Sequence, residues 1–247
     1  MVDKIVRLAG VSEGDHVIEI GPGLGSLTVG LLDAGATVHA VEIDKYLLPA
    51  LQETVQQSSY AERFTLHAVD AREVDWGAIL GEQSWSVVAN LPYNIATPLI
   101  LDFLADRPEF TKFLVMVQRE AGERLVAEPG SKTFGIPSVL ASYWVKGRIV
   151  GSVKAELFYP KPKVESVLVE LVRRAGPQPD CSFRDLQKVV KAGFGQRRKM
   201  IRRSLSSMLT TDQLESVGVE PTLRAEQLGL DQWVSLARLT TNPADHQ

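Results

Sequence analysis

The sequence predicts an α/β protein: a Rossmann-like, doubly wound sheet domain followed by a small all-helical domain. Three observations predict it. Short β-branched runs alternate with helical periodicities over the first 175 of the 247 residues. A glycine-rich loop sits at the first strand-to-helix junction, in Gly21-Pro22-Gly23-Leu24-Gly25. Beyond Ala175-Gly176-Pro177-Gln178-Pro179 the strand signals stop and only helical patterns follow.

The elements follow in order. His16 to Ile20 is an apolar strand running into the glycines, and Leu24 to Leu32 is helical. Thr37 to Ile43 is a second strand. Tyr46 to Gln57 is a helix with Leu47, Leu48, Leu51 and Val55 at helical spacing. Phe64 to Val69 and Trp85 to Ala89 are the third and fourth strands, the latter ending at Asn90-Leu91-Pro92-Tyr93. Pro98 to Leu104 reads as a helix with proline in its first turn, where the missing N–H costs nothing. Phe113 to Val117 is a strand and Arg119 to Ala127 a helix. Lys146 to Val153 and Val164 to Val172 are late strands. Alternation with helices implies parallel pairing throughout. After the linker, Phe183 to Phe194, Arg197 to Leu209, Thr211 to Val217 and Asp231 to Leu239 are helical. Ser182 is placed to cap the first of these and Thr211 the third. The domain boundary is expected at 175/176.

At 45% hydrophobic and 23% charged, the chain can bury a sizeable core. A single cysteine, Cys181, excludes an internal disulfide and a cysteine zinc site and favours a reducing, cytoplasmic compartment. No apolar run reaches membrane-spanning length. The net charge of −3 conceals an asymmetry: residues 146–203 carry 15 Lys and Arg against 5 Asp and Glu, whereas residues 1–145 carry 10 against 19. A basic stretch beside an acidic body can bind a polyanion, or be merely a solvated surface.

The loop and three acids describe a ligand site at the strand ends. Gly21, Gly23 and Gly25 let the backbone approach a ligand closely. Their G-x-G-x-G spacing is not the G-x-G-x-x-G of nicotinamide binding. Glu19, just before the loop, would repel a pyrophosphate but suits the ammonium of an amino-acid moiety, which points to S-adenosylmethionine over NAD. Glu42 ends the second strand, where a carboxylate accepts ribose hydroxyls. Asp70, before Ala71, follows the third strand, where it can accept from an adenine amino group. Asp44 reads as a cap of the next helix.

Asn90-Leu91-Pro92-Tyr93 suits methylation of an exocyclic amine. The lone pair of such a nitrogen is delocalised into its ring. Acceptors on its two hydrogens, supplied by the Asn90 side chain and a nearby carbonyl such as that of Leu91, favour a pyramidal nitrogen. Pro92 fixes the turn. Tyr93 offers a ring for an extruded base. Phe158, in Phe158-Tyr159-Pro160-Lys161-Pro162-Lys163, is placed to close the other face, with Lys161 and Lys163 for phosphates. Adenine, cytosine and glutamine amides all remain open as acceptors on these residues alone. No triad or general base is present, and the histidines look like strand or tail residues.

The glycine loop, Asn90-Leu91-Pro92-Tyr93-Asn94-Ile95, Phe158 to Ser166 and Phe194-Gly195-Gln196-Arg197-Arg198-Lys199 occur in this order, and with them the chain resembles the bacterial small-subunit ribosomal RNA adenine N6,N6-dimethyltransferases. The resemblance runs over essentially all of the sequence. It implies a class I methyltransferase sheet over 1–175, a helical RNA-binding domain over 176–247, S-adenosylmethionine as donor, and no metal. It also implies a monomer that dimethylates two adjacent adenines in the terminal hairpin of 16S RNA, within the assembling small subunit. The cofactor would lie on Glu19, Gly21, Gly23, Gly25, Glu42, Asp70, Ala71 and Asn90. The basic cluster fits RNA: on one helix, Arg198 shares a face with Arg202 and Lys199 with Arg203, Arg197 precedes them, and Met200, Ile201 and Leu205 face the core. Members of this family carry a leading Gln-x-Phe-Leu segment that helps cover the cofactor. This sequence starts after it, so weaker cofactor binding than in a chain with that segment is expected. Two alternatives stand: a macrolide-resistance methyltransferase of 23S RNA, and a non-catalytic assembly factor of the same fold.

Overall fold

The computed structural model describes residues 1–154, 156 and 164–240. Seven strands form one sheet: β1 His16–Ile20, β2 Thr37–Val41, β3 Phe64–His67, β4 Trp85–Asn90, β5 Phe110–Gln118, β6 Val145–Val153 and β7 Ser166–Arg173. Their spatial order is β3-β2-β1-β4-β5-β7-β6. The first five strands pair in parallel, in registers such as Glu19 with Ala40 and Ala89 with Val115. The expectation of uniformly parallel pairing fails at one place, because β7 runs antiparallel to β5. It is not the next strand after β5 in a strand–helix–strand repeat, since β6 comes between them in sequence, and only such a repeat imposes the parallel sense.

Helices cover both faces. The helices are α1 Val2–Ala9, α2 Ser26–Asp33, α3 Leu48–Gln56, α4 Trp76–Leu80, α5 Ala96–Asp106, α6 Arg119–Leu125, α7 Ile136–Trp144, α8 Phe183–Gly195, α9 Ile201–Ser204, α10 Thr211–Ser216 and α11 Leu230–Thr240. On one face Ile5, Leu31, Leu32, Leu51 and Val55 pack over Val17, Val38, Val88 and Leu114. On the other, Trp76, Phe103 and Phe110 meet edge to face with ring centroids 5.0–5.3 Å apart, each contact adding about 0.5–1.5 kcal/mol beyond area burial. The alternation of Val17 and Glu19 against Ile18 and Ile20 distributes the strand between these two faces.

The chain divides into two compact units. One is Met1–Gly122 with Gly147–Arg173. The other is Glu123–Lys146 with the described residues from Arg174 onward. This differs from a single cut after 175. The segment carrying α7, which the sequence reading left unassigned, packs against α8 and α11. Tyr143 shows why: its hydroxyl donates to the Cys181 carbonyl and its ring contacts Phe183. Within that unit, Gly193 of α8 lets Trp233 of α11 close in, for a Cβ there would lie 2.5 Å from the indole.

Ser182 caps α8 by accepting from the Asp185 N–H. The cap of α10 is Thr210 rather than Thr211, in a reciprocal pair with Gln213. The basic helix expected over 197–209 shortens to α9, which begins at Ile201. Ile201 and Leu205 are buried as expected, but Met200 is exposed.

Candidate active site

The strand order reverses between β1 and β4, and in an open α/β sheet ligands bind beyond the carboxyl ends of the strands at such a switch point. Gly21, Gly23 and Gly25 all take positive φ, at 68°, 58° and 86°, a backbone that side-chain-bearing residues avoid. The Gly21 N–H donates to the Val41 carbonyl, which ties the loop to β2. A Cβ at Gly23 would meet nothing within 4 Å, and one at Gly21 only the Asn90 carbonyl oxygen at 3.9 Å. At Gly21 and Gly23 the loop therefore presents bare backbone to open space beside the Asn90-Leu91-Pro92-Tyr93 turn, whereas Gly25 backs onto α3, where a Cβ would lie 2.8 Å from Leu51.

Three carboxyl groups stand around this loop in different states. Glu42 is 6% exposed and accepts from the N–H groups of Gly23 at 3.3 Å and Asp44 at 2.9 Å, one on each oxygen. Each oxygen keeps a further lone pair for a ligand hydroxyl. Glu19 is buried at the end of β1, and the Thr28 hydroxyl of α2 donates to it at 2.6 Å. Burial pushes its carboxyl up to about 8, against the Thr28 hydrogen bond, with the Glu42 charge adding to the rise. Burial thus favours the neutral acid, and a cation beside it would favour the carboxylate. Asp70 lies three residues past β3, where the Arg72 guanidinium grips both its oxygens and the Arg72 N–H adds a third bond. Those bonds hold its carboxyl down at about 2. Asp44 does not cap α3; it accepts from the Tyr46 N–H in the preceding turn.

Asn90 is exposed at the end of β4. The Leu91 N–H donates to the Met116 carbonyl at 3.1 Å, and the Pro92 carbonyl accepts from Ile95 and Ala96, so the turn runs straight into α5. Tyr93 is half-buried, its hydroxyl 2.9 Å from the Ser166 Oγ. Ala71 is buried and lines a cavity of about 170 Å³ with Val74, Trp76, Leu99 and Phe103. Leu24 and Ile43, by contrast, are 58% and 63% exposed beside the loop and Glu42, an apolar rim suited to a flat aromatic group.

These features fit S-adenosylmethionine: bare loop backbone, a carboxylate with free lone pairs for a ribose, an acid for an ammonium and an apolar rim. Among the described residues no group of three or more His, Cys, Asp or Glu side chains is disposed to hold a metal ion, and no helix is long and apolar enough to cross a membrane.

The basic cluster is exposed, and one member of it is also engaged within its own unit. Arg197 donates to Glu226 at 2.7 Å and to the carbonyls of Lys132 and Phe134, tying 132–134 to the segment around 226. Its side chain is nonetheless 47% exposed. Arg198, Lys199, Arg202 and Arg203 are exposed. Arg198 and Lys199 precede α9, so they do not share helical faces with Arg202 and Arg203. Phe158, Lys161 and Lys163 lie outside the described residues. Sequence reasoning missed Thr28, Arg72 and Ser166. Thr28 and Ser166 are ordinary polar residues in their local sequence that only the fold brings to a site residue, whereas Arg72 lies two positions from Asp70, a local signal that could have found it.

The family model of ribosomal RNA adenine dimethylase matches residues 1–242. The chain is 44% identical to a Ribosomal RNA small subunit methyltransferase A of Leifsonia xyli, over 96% of this chain and 86% of that one. It is 42% identical to a protein of the same name from Streptomyces avermitilis, over 99% and 84%. Among solved structures, a dimethyladenosine transferase from Plasmodium falciparum superposes with a TM-score of 0.82 at 24% identity, over 95% and 93% of the two chains. The 23S rRNA methyltransferase ErmE gives 0.76 at 23%, over 97% and 96%; both likenesses establish the class I fold alone. With the glycine loop and the Asn90 turn meeting at the switch point and the family model spanning both units, the chain belongs to the ribosomal RNA adenine dimethylase family and is an S-adenosylmethionine-dependent rRNA adenine dimethyltransferase.

Proposed function

We propose that this dimethyltransferase acts on small-subunit RNA, placing two methyl groups on N6 of each of two adjacent adenines in the 3′-terminal hairpin of 16S RNA during subunit assembly. The observation that carries the chemistry is the adjacency of Gly21 to the Asn90 backbone at the sheet's switch point. The choice of target rests on relatives at 40% identity and above that bear the small-subunit name, against 23% for ErmE.

When bound, S-adenosylmethionine supplies an electrophilic methyl group on a sulfonium that departs as a neutral thioether. The chain's residues position the partners. Glu42 accepts the ribose hydroxyls, Asp70 the adenine amino group beside Ala71, and Glu19 the ammonium. Gly21, Gly23 and Gly25 give the close backbone approach. The Asn90 side-chain oxygen and the Leu91 carbonyl accept the two N6 hydrogens and favour a pyramidal nitrogen whose lone pair is less delocalised into the ring. The Asn90 amide is no base, so the proton displaced from N6 leaves to water. Pro92 adds no competing N–H, and the ring of Tyr93 stacks on the flipped base. Phe158 takes the opposite face of that base, with Lys161 and Lys163 on phosphates. The exposed Arg198, Lys199, Arg202 and Arg203 hold the RNA backbone through charge. The enzyme works as a cytoplasmic monomer.

Labelled methyl donor offered to a mixture of undermethylated small subunits and 23S RNA tests the target. Label confined to 16S RNA is the expected result. Label in 23S RNA, with macrolide resistance in an expressing host, would replace this reading with the macrolide-resistance one.

A further inference from the structure

We infer that Ser166 is a positioning residue for Tyr93, a role that rests on the reading of Tyr93 as the ring that stacks on the target base. Ser166 is the first residue of β7 and has no exposed surface. It lies opposite Gln118 in the antiparallel β5–β7 pair. The preceding residue is fixed on both its side chain and its backbone: the Arg119 N–H donates to the Glu165 carbonyl at 3.0 Å, and the Arg119 guanidinium donates to the Glu165 carboxylate at 2.8 and 3.1 Å. Ser166 therefore stands on a rigid strand end. Its Oγ is 2.9 Å from the Tyr93 hydroxyl. At its other end, the turn bearing Tyr93 is pinned by the Leu91 N–H bond to Met116 and by the Pro92 carbonyl at the start of α5.

An aromatic ring on a turn swings about two side-chain torsions. A hydrogen bond from its far end to a buried, immobile hydroxyl removes that freedom before the base arrives. A stacking surface held ready spares the ordering cost at each encounter. The demand is greater for the second methyl transfer than for the first. The N6-monomethyl nitrogen must give its remaining hydrogen to an acceptor and its lone pair to the incoming methyl group with one methyl group already in place. A loose ring tolerates release of the half-modified base. Ser166 thus acts on how far the reaction proceeds as well as on its rate.

The test uses the full chain with undermethylated small subunits and compares Ser166→Ala, Tyr93→Phe, their double variant, Ser166→Thr and Tyr93→Ala. Tyr93→Phe keeps the ring and removes only its hydroxyl. The expected result is a kcat loss of about three- to tenfold in Ser166→Ala and in Tyr93→Phe. The double variant loses no more than either. Cofactor Kd by calorimetry stays unchanged, the fraction of N6-monomethyladenine in the product rises, and Ser166→Thr recovers activity. Additive losses, or an unchanged mono- to dimethyl ratio in Tyr93→Phe, would overturn the inference even if Ser166→Ala were less stable. Tyr93→Ala separates the two layers. A large loss there with Tyr93→Phe at wild-type activity leaves the stacking ring standing and removes Ser166 from it. Full activity in Tyr93→Ala removes the stacking reading itself.

Discussion

At the scale of single residues, the site is a set of carboxyl groups whose surroundings push them apart. Glu19 lies at the end of β1 and Asp70 just past β3 of the same sheet, yet one sits at about 8 and the other at about 2. Burial governs the first and Arg72 the second. For Glu19 the folded value lies above the ordinary carboxyl value. The folded state holds a proton that the unfolded chain has released, so its contribution to stability falls as pH rises from about 4.5 to about 8. Glu19→Gln in the cofactor-free protein is expected to raise stability at pH 8 by on the order of 1–2 kcal/mol and to change little at pH 4.5. Denaturant titrations at the two pH values check this; equal effects at both would mean that Glu19 is ionised in the fold. Arg72 makes the complementary case. Its guanidinium is 64% exposed and occupies the oxygens that Asp70 would turn to adenine. Exposed pairs are worth little, so Arg72→Ala is expected to tighten cofactor binding by about two- to fivefold. Calorimetric weakening instead would make Arg72 the residue that holds Asp70 in place.

At the scale of elements, the reading of the sequence is uneven for physical reasons. β1, with its continuous apolar run into glycines, and α8, with its serine cap, are legible because the signals are local. Asn90, Glu42 and the glycines were legible because their chemistry is tied to strand ends. Thr28 and Ser166 were not, since nothing local marks a threonine or serine whose partner lies 9 or 73 positions away. Charge content does not reveal where a side chain is used. Arg173 is the clearest instance. It ends β7 and donates to the carbonyls of Phe110, Leu104 and Arg107 at 2.7–2.8 Å and of Phe103 at 3.4 Å, closing the open carboxyl end of α5. Burial lowers its pKa, against the Glu109 charge. Arg173→Met is expected to cost about 2–4 kcal/mol in denaturant midpoint analysis, because several carbonyls lose their donor at once. A cost below 0.5 kcal/mol would show that water replaces it.

At the scale of the whole molecule, charge is divided between binding and construction. In the second unit the exposed Arg197 is bonded to Glu226 and to the Lys132 carbonyl, and Arg198, Lys199, Arg202 and Arg203 are exposed as well. Replacing any one of the last four by alanine is expected to weaken RNA binding, to lower the slope of log K against log salt by about 0.7–0.9 and to leave stability unchanged. Arg197→Ala is expected to lower stability with little change in that slope. Filter binding across a salt series with parallel melting curves separates the two. An unchanged slope in all four exposed variants would place the RNA elsewhere.

The central claim is that the Asn90 turn beside the glycine loop dimethylates adenine in small-subunit RNA. Its most direct test is mass spectrometry of 16S RNA recovered from undermethylated small subunits after incubation with S-adenosylmethionine and either this chain or Asn90→Ala. N6,N6-dimethyladenine at two adjacent hairpin positions with the unaltered chain, and none with Asn90→Ala, is the result the account predicts. Dimethylation undiminished in Asn90→Ala, or methyl groups on any atom other than adenine N6, would contradict it.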